Sequence, residues 1–486
     1  MLTRRSSSIA AALVLSLVVA ACGGDSGTTQ SPAAPDGSGP AASPGAPSSP
    51  GAVDVSGPLQ IGARYGCEPA PCEPEEGAEG VADEIAYVRY NTFAEQYPDV
   101  DLTFTEANFD PQTFLTAVAA GNPPDVVRID RALLGTFIAE GALDPLDTCI
   151  TDHGIDMSLY YESAVSQGTS GDSVYAIPES YDVRIILIND SVLEEVNLTP
   201  EDIDTSDWDA LKGINDQLMA KDGNAISRIG FDPKLPEFLP LWALANGTTL
   251  VSDDGLTSNL DDPKAAEALD YAVSLITAHG TAPQFFDFRS TGPGSAFFGP
   301  ENQFTEDSVG AFPMEQWYLN VLANDTPDES ISFQPFRDRE GNNISYSGGS
   351  ALAIPSSAKN KEAACEFIKV VTGADAYFAA NEVRAERRAA DDQAFTGVLT
   401  ANRAANDRIF GELVDEESAG EFYEGVQLVN EVADGAYALP AIPAAAEFDR
   451  IWRAAVERVM NEGVPAAEAL AEADQEAQDA IDGAAQ

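Results

Sequence analysis

The chain has 486 residues, 44% of them apolar, enough for two bodies with cores of their own. Its 80 Asp and Glu against 26 Lys and Arg give a formal net charge of −54, which excludes nucleic acid and an anionic membrane surface as partners. A surface this acidic repels itself, and added salt is expected to relieve the repulsion.

Arg4 and Arg5 precede an apolar run from Ile9 to Ala21, the length of a signal-peptide core and too short to span a bilayer. Residues 1–21 are therefore expected to be removed on export. The run ends in Val19, Ala20, Ala21, Cys22 and Gly23, which resembles the lipobox of bacterial lipoproteins and implies Cys22 as the lipidated residue. No later apolar run is long enough to cross a membrane, so the lipid is expected to be the sole anchor, on the outer face of the cell membrane. Residues 22–57 are dominated by Gly, Ser, Pro, Ala and Thr, with no aromatic or basic residue. Such a segment cannot bury enough apolar area to offset its ordering entropy, and it reads as a tether with a reach of roughly 30 Å.

The body opens with alternating Leu59, Ile61 and Ala63, a strand reaching Tyr65. A helix follows with Ala86, Tyr90, Phe93 and Tyr97 on one face, then a strand at Val100, Leu102 and Phe104. Asp110 and Pro111 predict a helix N-cap and first residue, with Gly121 closing that helix. Asp125 to Val127 reads as a strand and Leu133, Phe137 and Ile138 as the next helix, so strands and helices alternate as in a parallel sheet. Val183 to Ile188 is a dense apolar strand. Ser206 and Asp209 have the spacing of a capping box, and Asp262 and Pro263 start another helix. Ser350 to Ile354 is a strand, and the C-terminal third is helical in its periodicity.

Several segments together resemble the extracellular solute-binding proteins of sugar ABC importers, the family that includes maltose-binding protein. They are residues 117–127 (AVAAGNPPDVV), 141–146 (GALDPL), 175–178 (YAIP), 206–211 (SDWDAL), 310–317 (GAFPMEQW) and 348–354 (GGSALAI). The resemblance implies a two-lobed α/β fold of the periplasmic-binding-protein kind, each lobe a sheet flanked by helices, joined by a hinge. It implies lobe I at 58–178 and 331–373 and lobe II at 179–330 and 374–486. It also implies capture of a small ligand, a mono- or oligosaccharide, for delivery to ABC permease subunits, by a protein expected to be a monomer.

A sugar has hydroxyls around its rim and C–H patches on its faces, so its site needs bidentate polar partners and aromatic plates. Asp130 and Arg131 supply an acceptor pair and a donor fork at a strand's C-terminal end, where open α/β sheets place ligands; the resemblance also assigns them to ligand. Trp317 follows the strand Val309 to Phe312, in a loop where relatives present a tryptophan to sugar. Gly348 and Gly349 would let ligand approach the backbone closely. Tyr65 and Asp182 join the candidates by position in the expected cleft. Trp208, Trp242 and Trp452 sit at helical spacing to apolar residues and read as core.

Cys67 and Cys72 are close enough to form a local disulfide in an exported protein, while Cys149 and Cys365 are either buried thiols or a second bond. With only His153 and His279, neither near a second cysteine pair, no metal site is expected, nor any cofactor. The alternatives are the same architecture holding a polyol, polyamine or peptide, or a surface glycan-active enzyme. The chain has no G-x-S-x-G elbow, phosphate-binding loop, H-E-x-x-H or dinucleotide fingerprint, so no catalysis is expected.

Overall fold

The alternation at Leu59 and Ile61 becomes a strand with both side chains fully buried, and the segment after Val183, apolar but for Arg184 and Asn189, becomes one buried on both faces. These features belong to a computed structural model that describes residues 55–63, 84–105, 109–327 and 329–484. Tyr65, the cysteines at 22, 67 and 72, the leader and most of the tether lie outside the described residues.

In chain order the strands are β1 (Gly57–Gly62), β2 (Val100–Phe104), β3 (Val126–Asp130), β4 (Ala176–Pro178), β5 (Arg184–Asn189), β6 (Ala220–Asp222), β7 (Ala225–Phe231), β8 (Val309–Glu315), β9 (Ile331–Gln334) and β10 (Ser350–Ala353). They form two five-stranded sheets, ordered β2-β1-β3-β10-β4 and β9-β5-β8-β7-β6. In the first, β1 runs parallel to β2 and β3, with Leu59 opposite Leu102. The late strand β10 is antiparallel to β3 and β4, placing Ala351 between Ile129 and Pro178. In the second, β5 pairs antiparallel with both β8 and β9, so Leu187 lies between Phe312 and Phe333. The sheets are mixed because the chain crosses between lobes and returns.

The boundary expected at 331 needs correction. Ile331–Gln334 pairs with β5 and completes the second sheet, so the return crossing lies between Gln334 and Ser350. The boundary expected at 373 moves as well: the helix Ala374–Ala390 packs on Glu84–Gln96 of the first lobe, where Arg384 and Arg387 pair with the buried Glu84. Asp110 caps Pro111–Ala119 and Asp262 caps Pro263–His279, as the sequence signals predict. The capping box at Ser206 does not form. Asp207 takes the cap instead, accepting from Ala210 N at 3.0 Å, and the helix begins at Trp208.

Each lobe has its own interior. In the first, Tyr90 stacks on Phe367 at 5.6 Å, and Cys149 is disulfide-bonded to Cys365, settling a pairing the sequence left open. In the second, Trp208 stacks on Tyr271 at 4.2 Å and the fully buried Trp242 meets Phe336 edge-on at 4.9 Å. Ring pairs of this kind add about 0.5–1.5 kcal/mol each beyond their area. The helices Ala445–Glu462 and Ala466–Ala484 pack on each other and on Pro263–His279, while the start of the former reaches Leu134–Ala139 of the first lobe.

Candidate ligand cleft

Where the chain first crosses between sheets, Glu179 is the fixed point. It is 2% exposed, with Arg89 Nη2 2.8 Å from one carboxylate oxygen and Arg128 Nε 2.5 Å from the other. Burial raises its pKa, but Arg128 and Arg89 outweigh burial and hold it at about 2. The two crossings are then stitched together. Asp182 and Gly348 exchange backbone hydrogen bonds of 3.0 and 2.9 Å, and Glu179 N donates to Ser350 O at 2.9 Å.

Around this stitching lies a cavity of about 630 Å³. The first lobe contributes Ile129 and Asp130, the second Glu237, Phe238 and Glu315, the crossings Asp182 and Tyr346 to Ser350, and the helix Ala445–Glu462 Trp452 and Arg453. A second cavity of about 610 Å³ shares Arg128, Ser180 and Asp182 with it and continues to Trp317 and Tyr377. Of the predicted residues, Asp130, Asp182, Gly348 and Gly349 therefore line the first cavity, Asp182 also lines the second, and Trp317 lines the second. Trp317 is half-buried there, with Phe298 stacked 6.2 Å away.

Asp130 ends β3 as its position predicts. Its carboxylate opens to the cavity yet has protein on most sides, and the lost hydration pushes its pKa up against the Ala132 N–H and the Arg131 charge that lower it. Arg131 is not at the ligand surface. It is 1% exposed, beneath the cavity wall, and its guanidinium donates to Gln167 Oε1 at 3.0 Å, to Ser180 O at 2.6 Å and to Gly348 O. The fork that suits a sugar hydroxyl equally suits two backbone carbonyls, and here it clamps the crossings. Gly349 has a related role: at φ +123° a Cβ would collide with the Ser180 carbonyl, so its openness serves the close approach of two chain passages.

Three groups on the cavity wall went unrecognised in the sequence. Arg184 interrupts an apolar strand; its Nη2 pairs with Glu315 at 2.7 Å, while its buried Nε has no hydrogen-bond partner. A cation inside a run of Ile and Leu was the available signal. Trp452 was assigned to the core, and it is 1% exposed, but one edge borders the cavity and its indole N–H has no acceptor. Ser347 Oγ is likewise buried without a partner. Buried polar atoms are rarely left so, and all three residues line the same cavity. Among the described residues no group of three or more His, Cys, Asp and Glu is arranged to hold a metal ion.

The model of the family described as bacterial extracellular solute-binding protein matches residues 75–377, well over half of the chain. A binding protein of Brucella abortus is 24% identical over 246 residues, 49% of this chain and 55% of that one. The diacetylchitobiose binding protein of Streptomyces coelicolor is 26% identical over 282 residues, 53% of this chain and 59% of that one. The chain thus spans little more than half the length of these curated relatives. Among solved structures, maltose-bound MalE3 of T. maritima superposes with a TM-score of 0.62 at 17% identity, covering 87% of this chain and 99% of that one. That likeness shows the same two-lobed fold.

Proposed function

The chain belongs to the bacterial extracellular solute-binding proteins, and from that premise we propose that it is the capture subunit of an ABC importer, taking a mono- or oligosaccharide into its cleft and handing it on unaltered. The observation that carries this reading is that three residues lining the cavity, Arg184, Trp452 and Ser347, carry enclosed polar atoms (Nε, Nε1 and Oγ) with no hydrogen-bond partner in the protein. In the same cavity Asp130 and Asp182 supply acceptors, and Phe238 and Tyr346, both beside the Arg184 guanidinium, supply apolar faces. A polyhydroxylated ring satisfies both kinds of group at once. Trp317 extends the apolar surface into the adjoining cavity. The protein is held at the outer face of the membrane through a lipid on Cys22, works as a monomer, and meets its permease subunits there. No helix among the described residues is long and apolar enough to cross a membrane.

The test is calorimetric titration of the full chain with neutral sugars, polyols and polyamines. One neutral sugar should bind one to one and be recovered unchanged. Trp452→Phe, which keeps a ring and removes the N–H, should weaken that sugar by about tenfold, since a buried hydroxyl then loses its donor, and leave the melting temperature in place. Binding confined to polyamines, or chemical conversion of the sugar, would end this reading.

A further inference from the structure

Glu237, Phe238 and Glu315 also line a smaller chamber of about 310 Å³ that runs from the main cavity into the second lobe. Its lining includes Lys234 and Arg289, which rest on Asp232 behind it: that residue is 1% exposed, and its carboxylate lies 3.3 Å from Lys234 Nζ and 3.6 Å from Arg289 Nη1. Two cations against one buried carboxylate leave a positive charge over. The other acids on the lining offset it only in part: Glu315 is engaged by Arg184 at 2.7 Å, and Glu237 acts on Lys234 from a solvent-exposed, screened position.

Two donors there are also unspent. Arg289 Nη1 is enclosed and has no hydrogen-bond acceptor in the protein, and Gln303 Nε2 is in the same condition. Lys234 is held in place at a backbone cost. It adopts φ +54°, unfavourable for a side chain of this kind, with its N–H donating to Asp232 Oδ1 at 2.8 Å and its ammonium 4.1 Å from the centre of the Phe312 ring. A strained lysine, an arginine lacking an acceptor and an amide lacking an acceptor converge on one chamber that opens to the ligand cavity.

We propose that this chamber is a subsite for an anionic group, a carboxylate or a phosphate, carried by the bound solute, so that the ligand is an acidic sugar with its charged end in the second lobe. The proposal rests on the reading that the main cavity binds a sugar. A carboxylate or phosphate supplies acceptor oxygens for Arg289 and Gln303 and neutralises the surplus charge, whereas a sugar hydroxyl supplies only the first.

The experiment is thermal melting of the full chain in inorganic phosphate against chloride at matched ionic strength, and in D-glucuronate against D-glucose. Phosphate, glucuronate or both should raise the melting temperature by about 2 °C or more over the matched control, and whichever acts identifies the anion chemistry. The rise should vanish in Arg289→Gln. If that variant does not fold, Gln303→Glu decides, because its own carboxylate would occupy the anion's place and abolish the response. No rise with either anion, or a rise that survives in the deciding variant, overturns the proposal. A neutral sugar that binds the wild type without any anion response removes the subsite and leaves the sugar reading standing. An anion response in a chain that binds no sugar does the reverse.

Discussion

In the first lobe the specific ties are ionic and covalent, and they join segments far apart in the chain. Glu179 holds Arg89 and Arg128, Arg89 donates to Val371 O at 2.9 Å, His153 sits 2.8 Å from Glu366, and the disulfide joins residues 216 positions apart. In the second lobe rings pack on rings, with Trp208 on Tyr271 and Trp242 against Phe231 and Phe336, and the buried ion cluster of Asp232, Lys234 and Arg289 is drawn from one short stretch of chain. Even its histidine is neutral packing: burial lowers the pKa of His279, which donates from Nδ1 to Leu275 O and accepts the Gly230 N–H. The difference follows from topology. The second sheet comes from one stretch, 184–334, whose rings meet once the stretch collapses. The first is assembled from pieces before 178 and after 350, and long-range ties fix which pieces meet.

The contrast can be broken at its strongest points. Glu179→Gln would remove the buried carboxylate that Arg89 and Arg128 share and should cost about 3–5 kcal/mol in denaturant unfolding. The sign with pH follows from a folded pKa of about 2 against 4.5 for the free group. The wild-type advantage is complete above pH 4.5 and fades as pH falls towards 2, so the two unfolding curves should converge in acid. Trp242→Ala should cost about as much, some 3–5 kcal/mol, yet show no such convergence; a deficit that shrank in acid would mean the second lobe is not held by rings alone. Replacing both Cys149 and Cys365 with Ser should cost about 2–4 kcal/mol, and reductant should then lower the melting temperature less than it does in the wild type. Equal sensitivity to reductant before and after the change would sever the disulfide from the first lobe's stability.

Much of the fold was legible because periodicity and caps act locally. Leu59 and Ile61, the run after Val183, and Asp110 and Asp262 all placed their elements, and family-like segments in order gave the two lobes. The boundaries were not legible, because whether Ile331–Gln334 joins one sheet or the other depends on pairing with β5, not on its own four residues. Asp207 took the cap from Ser206 for a similar reason, as two competent residues one position apart are separated only by the path of the chain into the helix. At the site, Asp130 follows from its place at a strand's end. Arg131 does not, since a guanidinium beside a cleft has the same sequence whether it faces solute or backbone. Trp452 shows the opposite ambiguity, a residue buried on one face and bordering the cavity on another.

The helix Leu134–Ala139 meets the segment before Ala445–Glu462 so closely that a methyl group at Gly135 would strike the Ile442 backbone, and beside it Ala446 N donates to Thr136 Oγ1 at 3.1 Å. Leu133, Ile442 and Ala445 border the main cavity just inside this junction. At this edge a bulkier guest would have to prise apart two backbones that touch where one hydrogen stands in for a side chain. The calibre of what the protein accepts is therefore set partly on its rim, by an atom that is absent, and not only by the groups that greet the guest inside.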